Sequence, residues 1–227
     1  KSGFHLRSAF KDWVVSDFYR ADGVVTALTD PRRRLELADI GIYRMLSPEQ
    51  VERKIHAIFG QRWGKLQGQI AVLYGGIDSR EVTARAPDPS GALGAIQRTL
   101  SNDVACRHTL RDFALPASKR RLFPGIEPNV LPGSSGKADE AIRRAIVHLH
   151  EHVLGRHDSV DSKEVSRTFE LFAGIVADAR GRKGLDKREA YPCRTGVPGA
   201  PDDPHYTIRA WRGVLTYLLR RPEFLYE

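Results

Sequence analysis

The stretch ADEAIRRAIVHLHEHVL at residues 138–154 decides the fold class. Ile142, Ala145, Ile146, Leu149 and Val153 recur three and four residues apart, so they share one side of a helix. Gly155 follows the last of them, where a left-handed cap suits glycine. Outward from this segment the same period returns. Residues 93–113 place Leu93, Ile96, Leu100, Val104, Leu110 and Phe113 on a helical stripe. Val165, Phe169, Phe172, Ile175 and Val176 do the same, with Asp161 or Ser162 as the cap of their helix. A last long helix is predicted over 205–219, capped by Asp202-Asp203 and ended by Pro222.

Toward the N-terminus, Ser47-Pro48-Glu49-Gln50 is a helix start. Ser47 accepts from the first-turn amides, Pro48 fits the first helical position, and Gln50 completes a capping box. Val51, Ile55, Ile58 and Phe59 then form a face, and Gly60 stops it. A further helix is predicted over 65–73, ending at the Tyr74-Gly75-Gly76-Ile77-Asp78 turn. Residues 4–19 bring Phe4, Ala9, Phe10, Trp13, Val14 and Phe18 to helical spacings, with their apolar face expected inward and Gly23 as the stop. An echo links 10–19 to 211–219 and 224–226, both amphipathic helices ending in aromatics; two copies do not make a repeat protein. No segment alternates as a strand would. The predicted class is all-α, an irregular multi-helix bundle with long Gly/Pro-rich loops over 123–136 and 181–203. One helical domain over 1–227 is expected, and 123–136 is its candidate internal boundary, between 1–122 and 137–227.

Charge and composition narrow the chemistry. Thirty-six Lys and Arg against 28 Asp and Glu give a formal charge of +8. Such a surface attracts nucleic acid, anionic lipid or an acidic protein, but the basic residues are scattered and no nucleic-acid motif accompanies them. No run approaches the ~20 apolar residues that span a bilayer. No signal peptide is visible; the chain opens on Lys1 rather than Met, as expected of a processed or excised segment.

His148-Leu149-His150-Glu151-His152 is the most conspicuous cluster of ligand-type residues. His148 and His152 are four apart on one helical face, the spacing of a two-histidine metal site. In the zinc-protease pattern the glutamate directly follows the first histidine; Leu149 stands there, so that chemistry is disfavoured. Histidines so placed also serve as hydrogen-bonded polar edges of a packed helix. Cys106 and Cys193 cannot by themselves complete a four-ligand zinc site, and neither lies in a paired-cysteine motif. They close one disulfide in an oxidising compartment, or Cys106 stays a buried free thiol; the sequence leaves both open. Cys106-Arg107-His108 lacks the earlier cysteine of a covalent haem attachment. No nucleophile elbow, phosphate-binding loop or dinucleotide fingerprint occurs, so no catalytic residue is assigned and no cofactor is expected within the chain.

Met45-Leu46-Ser47-Pro48-Glu49-Gln50 with Ile58-Phe59-Gly60, and the closing Leu218-Leu219-Arg220-Arg221-Pro222-Glu223-Phe224-Leu225-Tyr226, carry a resemblance. Ile146-Val147-His148-Leu149-His150 and Leu171-Phe172 add to it. These segments resemble helical modules of unknown function from large exported proteins of planctomycetes, myxobacteria and some proteobacteria, which often accompany c-type cytochrome domains. The resemblance implies a periplasmic or secreted helical module near electron-transfer partners, with any haem carried by a partner. The leading expectation is a noncatalytic subunit docking with a larger, cytochrome-containing assembly. The alternatives are a metal- or haem-dependent enzyme using the His148/His152 face, and a basic nucleic-acid-binding domain.

Overall fold

A computed structural model describes residues 6–15, 44–78, 80–85, 89–182 and 193–226. Among these residues the chain is helical and contains no strand; one isolated antiparallel bridge joins Met45 to Tyr226. The expected Gly23 stop and the aromatic end of the 10–19 echo lie outside the described residues. Two compact units divide the chain, 1–44 and 45–227.

In the first unit the described helix is α1, Leu6–Val14. Phe10 and Val14, expected to face inward, are 56% and 43% exposed. Helical spacing identifies an apolar stripe but not what covers it.

The second unit holds α2 (Pro48–Phe59), α3 (Gly68–Leu73), α4 (Gly91–Phe113), α5 (Gly136–Leu154), α6 (Lys163–Gly181), α7 (Thr207–Leu218) and α8 (Pro222–Leu225). The box at the start of α2 is formed: Gln50 N–H donates to Ser47 Oγ, and Ser47 N–H to Gln50 Oε1. Gly60 closes α2 at φ 76°, a conformation that costs an L side chain and that glycine adopts freely. Ser90, Ser135 and Ser162 cap α4, α5 and α6 by accepting from Leu93, Ala138 and Val165 amides. The helix expected over 65–73 starts only at Gly68. Glu52 Oε1 takes the Gly64 and Leu66 amides first and holds that approach out of the helix.

Helix α7 is the hub, packing against α4, α5 and α6. Its Trp211 is fully buried, 4.4 Å from the Phe172 ring of α6 and 5.2 Å from Phe123, which stacks on Phe113 of α4 at 4.4 Å. Each such buried aromatic contributes several kcal/mol of apolar burial, about 25 cal/mol per Å². Gly213 lets α6 approach: a Cβ there would lie 2.7 Å from Ile175 Cδ1.

The segment 123–136 is non-helical up to Ser135, as its prolines and glycines imply, but part of it is packed inward. Phe123 and Ile126 are buried, and Phe123 bridges Phe113 on one side to Trp211 on the other. The segment therefore supplies the core shared by both flanking pieces. Proline and glycine shape its backbone, but its apolar side chains decide where it sits.

The start of α7 follows the expected acidic cap. Asp203, 1% exposed, accepts from the Ile208 and Arg209 amides and pairs with the buried Arg209 guanidinium at 3.0 Å. Tyr206 takes φ 64°, and Arg209 lies 4.1 Å over its ring.

Candidate functional site

Helix α5 carries both histidines singled out for a metal, and the structure gives each a backbone partner. His148 Nε2 donates to the Arg121 carbonyl at 2.8 Å, and His152 Nε2 to the Ile58 carbonyl at 3.1 Å. A carbonyl only accepts, so Nε2 bears the proton in both rings. The rings stack with centroids 5.5 Å apart and planes 10° from parallel. A metal lies in the plane of each imidazole that ligates it, and near-parallel stacked rings direct their lone pairs side by side rather than to one point. Among the described residues no group of three or more His, Cys, Asp or Glu is gathered for a metal.

What the two histidines hold is more informative. The Ile58 carbonyl belongs to the end of α2 and the Arg121 carbonyl to the segment after α4. Between those segments lies a cavity of about 240 Å³, lined in part by Phe59, Gln61, His108, Arg111, Lys119 and Arg121. Asp112 also lines it, but its two oxygens accept the Arg121, Leu122 and Phe123 amides at 2.9, 3.2 and 2.9 Å. Burial raises the Asp112 carboxyl above its ordinary value against those three amides. Arg111 donates to the neutral Gln61 side chain. Arg107, one turn before Arg111, lines an adjoining cavity. None of Arg107, Arg111, Lys119 and Arg121 has a carboxylate partner among the described residues.

His108 sits in the wall of this cavity, 5% exposed, with its ring 4.8 Å from Phe59 and its Nε2 without a hydrogen-bond partner. Burial, with Arg107 and Arg111 beside it, brings its pKa down from 6.5 to about 4. The imidazole is thus neutral at neutral pH. In the sequence His108 figures only in an incomplete haem attachment. Its position four residues after Val104, on the buried side of α4, is the signal that places it inward.

A disulfide joins Cys106 of α4 to Cys193, with Cα atoms 5.1 Å apart. It ties the segment from 193 onward to α4 across 87 residues of sequence. Arg212 Nη1 lies 3.2 Å from Cys193 Sγ.

The remaining histidine of the α5 cluster forms a third constellation. His150 Nδ1 is 2.8 Å from Asp158 Oδ2, and its Nε2 is 3.1 Å from Thr168 Oγ1. The order hydroxyl, imidazole, carboxylate matches a nucleophilic triad. The surroundings do not. His150 and Thr168 are 2% and 1% exposed, and the Thr168 hydroxyl donates to the Glu164 carbonyl at 2.9 Å. A substrate has no access, and the hydroxyl proton is committed to the backbone.

The same network runs on to the C-terminal segment. Arg156 bridges Asp158 and Glu223, while Arg221 bridges Glu223 and Glu164. Arg221 above all, with Arg156, brings the Glu223 carboxyl down to about 2. Asp158, despite burial that raises it, is held below its ordinary range by Arg156 and His150. Lys54 donates to the Glu223 and Phe224 carbonyls, and Leu46 N–H to the Leu225 carbonyl. The 45–50 and 218–226 segments, which carry the resemblance, are therefore joined to each other and act in the architecture.

Comparison with protein-family models, curated proteins and solved structures returns no match to this chain.

Proposed function

We propose that this chain is a noncatalytic, exported helical module that docks an acidic protein partner through the basic face formed by Arg107, Arg111, Lys119 and Arg121. The observation that carries this reading is that four cations share one region with no carboxylate answering any of them. By contrast Arg120, between Lys119 and Arg121, pairs with Glu127, and Arg156, Arg194, Arg209 and Arg221 pair with carboxylates too. Unanswered cations on a folded surface steer an oppositely charged partner and set the register of docking.

The Cys106–Cys193 disulfide supports the exported setting, because such bonds persist in oxidising compartments. The resemblance of the 45–50 and 218–226 segments to modules of exported cytochrome-bearing proteins makes an acidic c-type cytochrome subunit the leading partner, with the haem on that partner. The buried state of the His150 constellation and the carbonyl partners of His148 and His152 support a binding role over catalysis.

The test is the size of the chain in extracts of its native source. At low salt it elutes in an assembly whose other members include an acidic protein, and it leaves that assembly as salt rises. Lys119→Glu with Arg121→Glu abolishes the assembly while the circular dichroism spectrum is retained. A monomer at low salt, or an assembly indifferent to both charge reversals, refutes the reading. An assembly made with nucleic acid rather than protein refutes it in favour of the alternative raised by the charge of +8.

A further inference from the structure

We propose that the cavity walled by Phe59 and Gln61, His108 and Arg111, and Lys119 and Arg121 is a binding site for a small free oxyanion of the phosphate class. Three observations converge there. Three of its lining residues are cationic, and its one lining carboxylate, Asp112, is already occupied by three backbone amides. A buried imidazole in its wall has a nitrogen with no partner. Buried polar atoms are usually satisfied, and of the four unpartnered ones among the described residues only His108 Nε2 belongs to a residue lining this cavity, which makes it the group for a ligand to meet.

Size and rigidity agree. About 240 Å³ falls below the ~300–1,000 Å³ of pockets for drug-sized ligands and admits an ion with a few waters. The two segments that contribute to its lining are each tied to α5, by His148 and His152. Guanidinium groups match the oxygens of a phosphate in forked pairs, and Arg111 and Arg121 reach the cavity from different segments. Helix α2 ends here, and its C-terminal carbonyls would oppose an anion. Two of them are neutralised: Ile58 by His152, and His56 by the Gly60 amide.

This site shares Arg111, Lys119 and Arg121 with the proposed docking face, but a free ion needs no partner protein, so the two readings can fail separately. The experiment titrates the purified full chain with inorganic phosphate at low ionic strength, by calorimetry and by nuclear magnetic resonance of the histidine rings. The expected result is saturable binding at one site that moves the His108 ring signals and leaves those of the exposed His157 in place. Lys119→Gln and Arg121→Gln, both at exposed positions, each weaken it about three- to tenfold, and Lys137→Gln, on a separate cavity, leaves it unchanged. Absence of saturation, a silent His108 ring, or equal weakening by Lys137→Gln overturns the proposal. Phosphate binding in a chain that never assembles with a partner leaves this proposal intact and removes the docking reading instead.

Discussion

Lowering the pH from about 7 to about 5 should cost the fold about 2 kcal/mol through His108 alone. The folded chain holds this imidazole neutral down to about 4, whereas its ordinary value is 6.5. The unfolded chain therefore takes up the proton first. Unfolding gains from acidification across the window from 6.5 to about 4, so the stability present above 6.5 is lost as pH falls through it. Each pH unit inside the window is worth about 1.4 kcal/mol, which gives ~2 kcal/mol at about pH 5 after the gradual onset near 6.5. Asp112, raised by burial, works in the opposite sense at lower pH, and the depressed Glu223 adds its own loss only below its ordinary 4.5. Urea denaturation of wild type and His108→Leu at the two pH values isolates the term. The leucine variant, which also removes the orphan nitrogen, should equal or exceed wild type near neutrality and lose about 2 kcal/mol less on acidification. A wild-type midpoint that does not move, or a leucine variant that loses as much, refutes the account of His108 as a buried neutral group.

Asp203→Asn removes the carboxylate that accepts the Ile208 and Arg209 amides and pairs with the Arg209 guanidinium, which destabilises by about 1–3 kcal/mol, read as a shift in urea midpoint. Gly213→Ala drives a methyl against Ile175 Cδ1; repacking of that flexible end limits the loss to about 1–3 kcal/mol in the same assay. Reducing Cys106–Cys193 lowers thermal stability by an amount of about 2–4 kcal/mol, and a Cys106→Ser with Cys193→Ser variant should match the reduced protein. His152→Ala should destabilise by about 1 kcal/mol through the lost hydrogen bond to Ile58, and zinc should stabilise neither it nor wild type in thermal melts.

The helical architecture was legible where a local signal and a long-range need coincide. Ser47 with Gln50, Gly60, Gly155 and Ser162 speak through backbone geometry that a few neighbouring residues decide, and the structure places helix ends at each. Asp203 at the head of α7 was legible for the same reason. The segment 123–136 was not, because Pro124, Gly125, Pro128 and Pro132 describe its backbone, while the burial of Phe123 and Ile126 depends on Phe113 and Trp211 far along the chain. The His148/His152 spacing was read correctly as a shared face, yet the partners of that face are carbonyls 94 and 27 residues away. The His108 cavity combines residues from the end of α2, from α4 and from the segment after it. No window of sequence contains all three, so only the packing of α2 and α5 against that region reveals it.

The most direct measurement of the docking claim is a hydrogen-exchange footprint of the chain in its native assembly against the purified chain. Slower exchange is expected over 107–121 and at the end of α2, reversed by added salt. Protection confined to the far side of the unit, around α6 and 193–206, would contradict it.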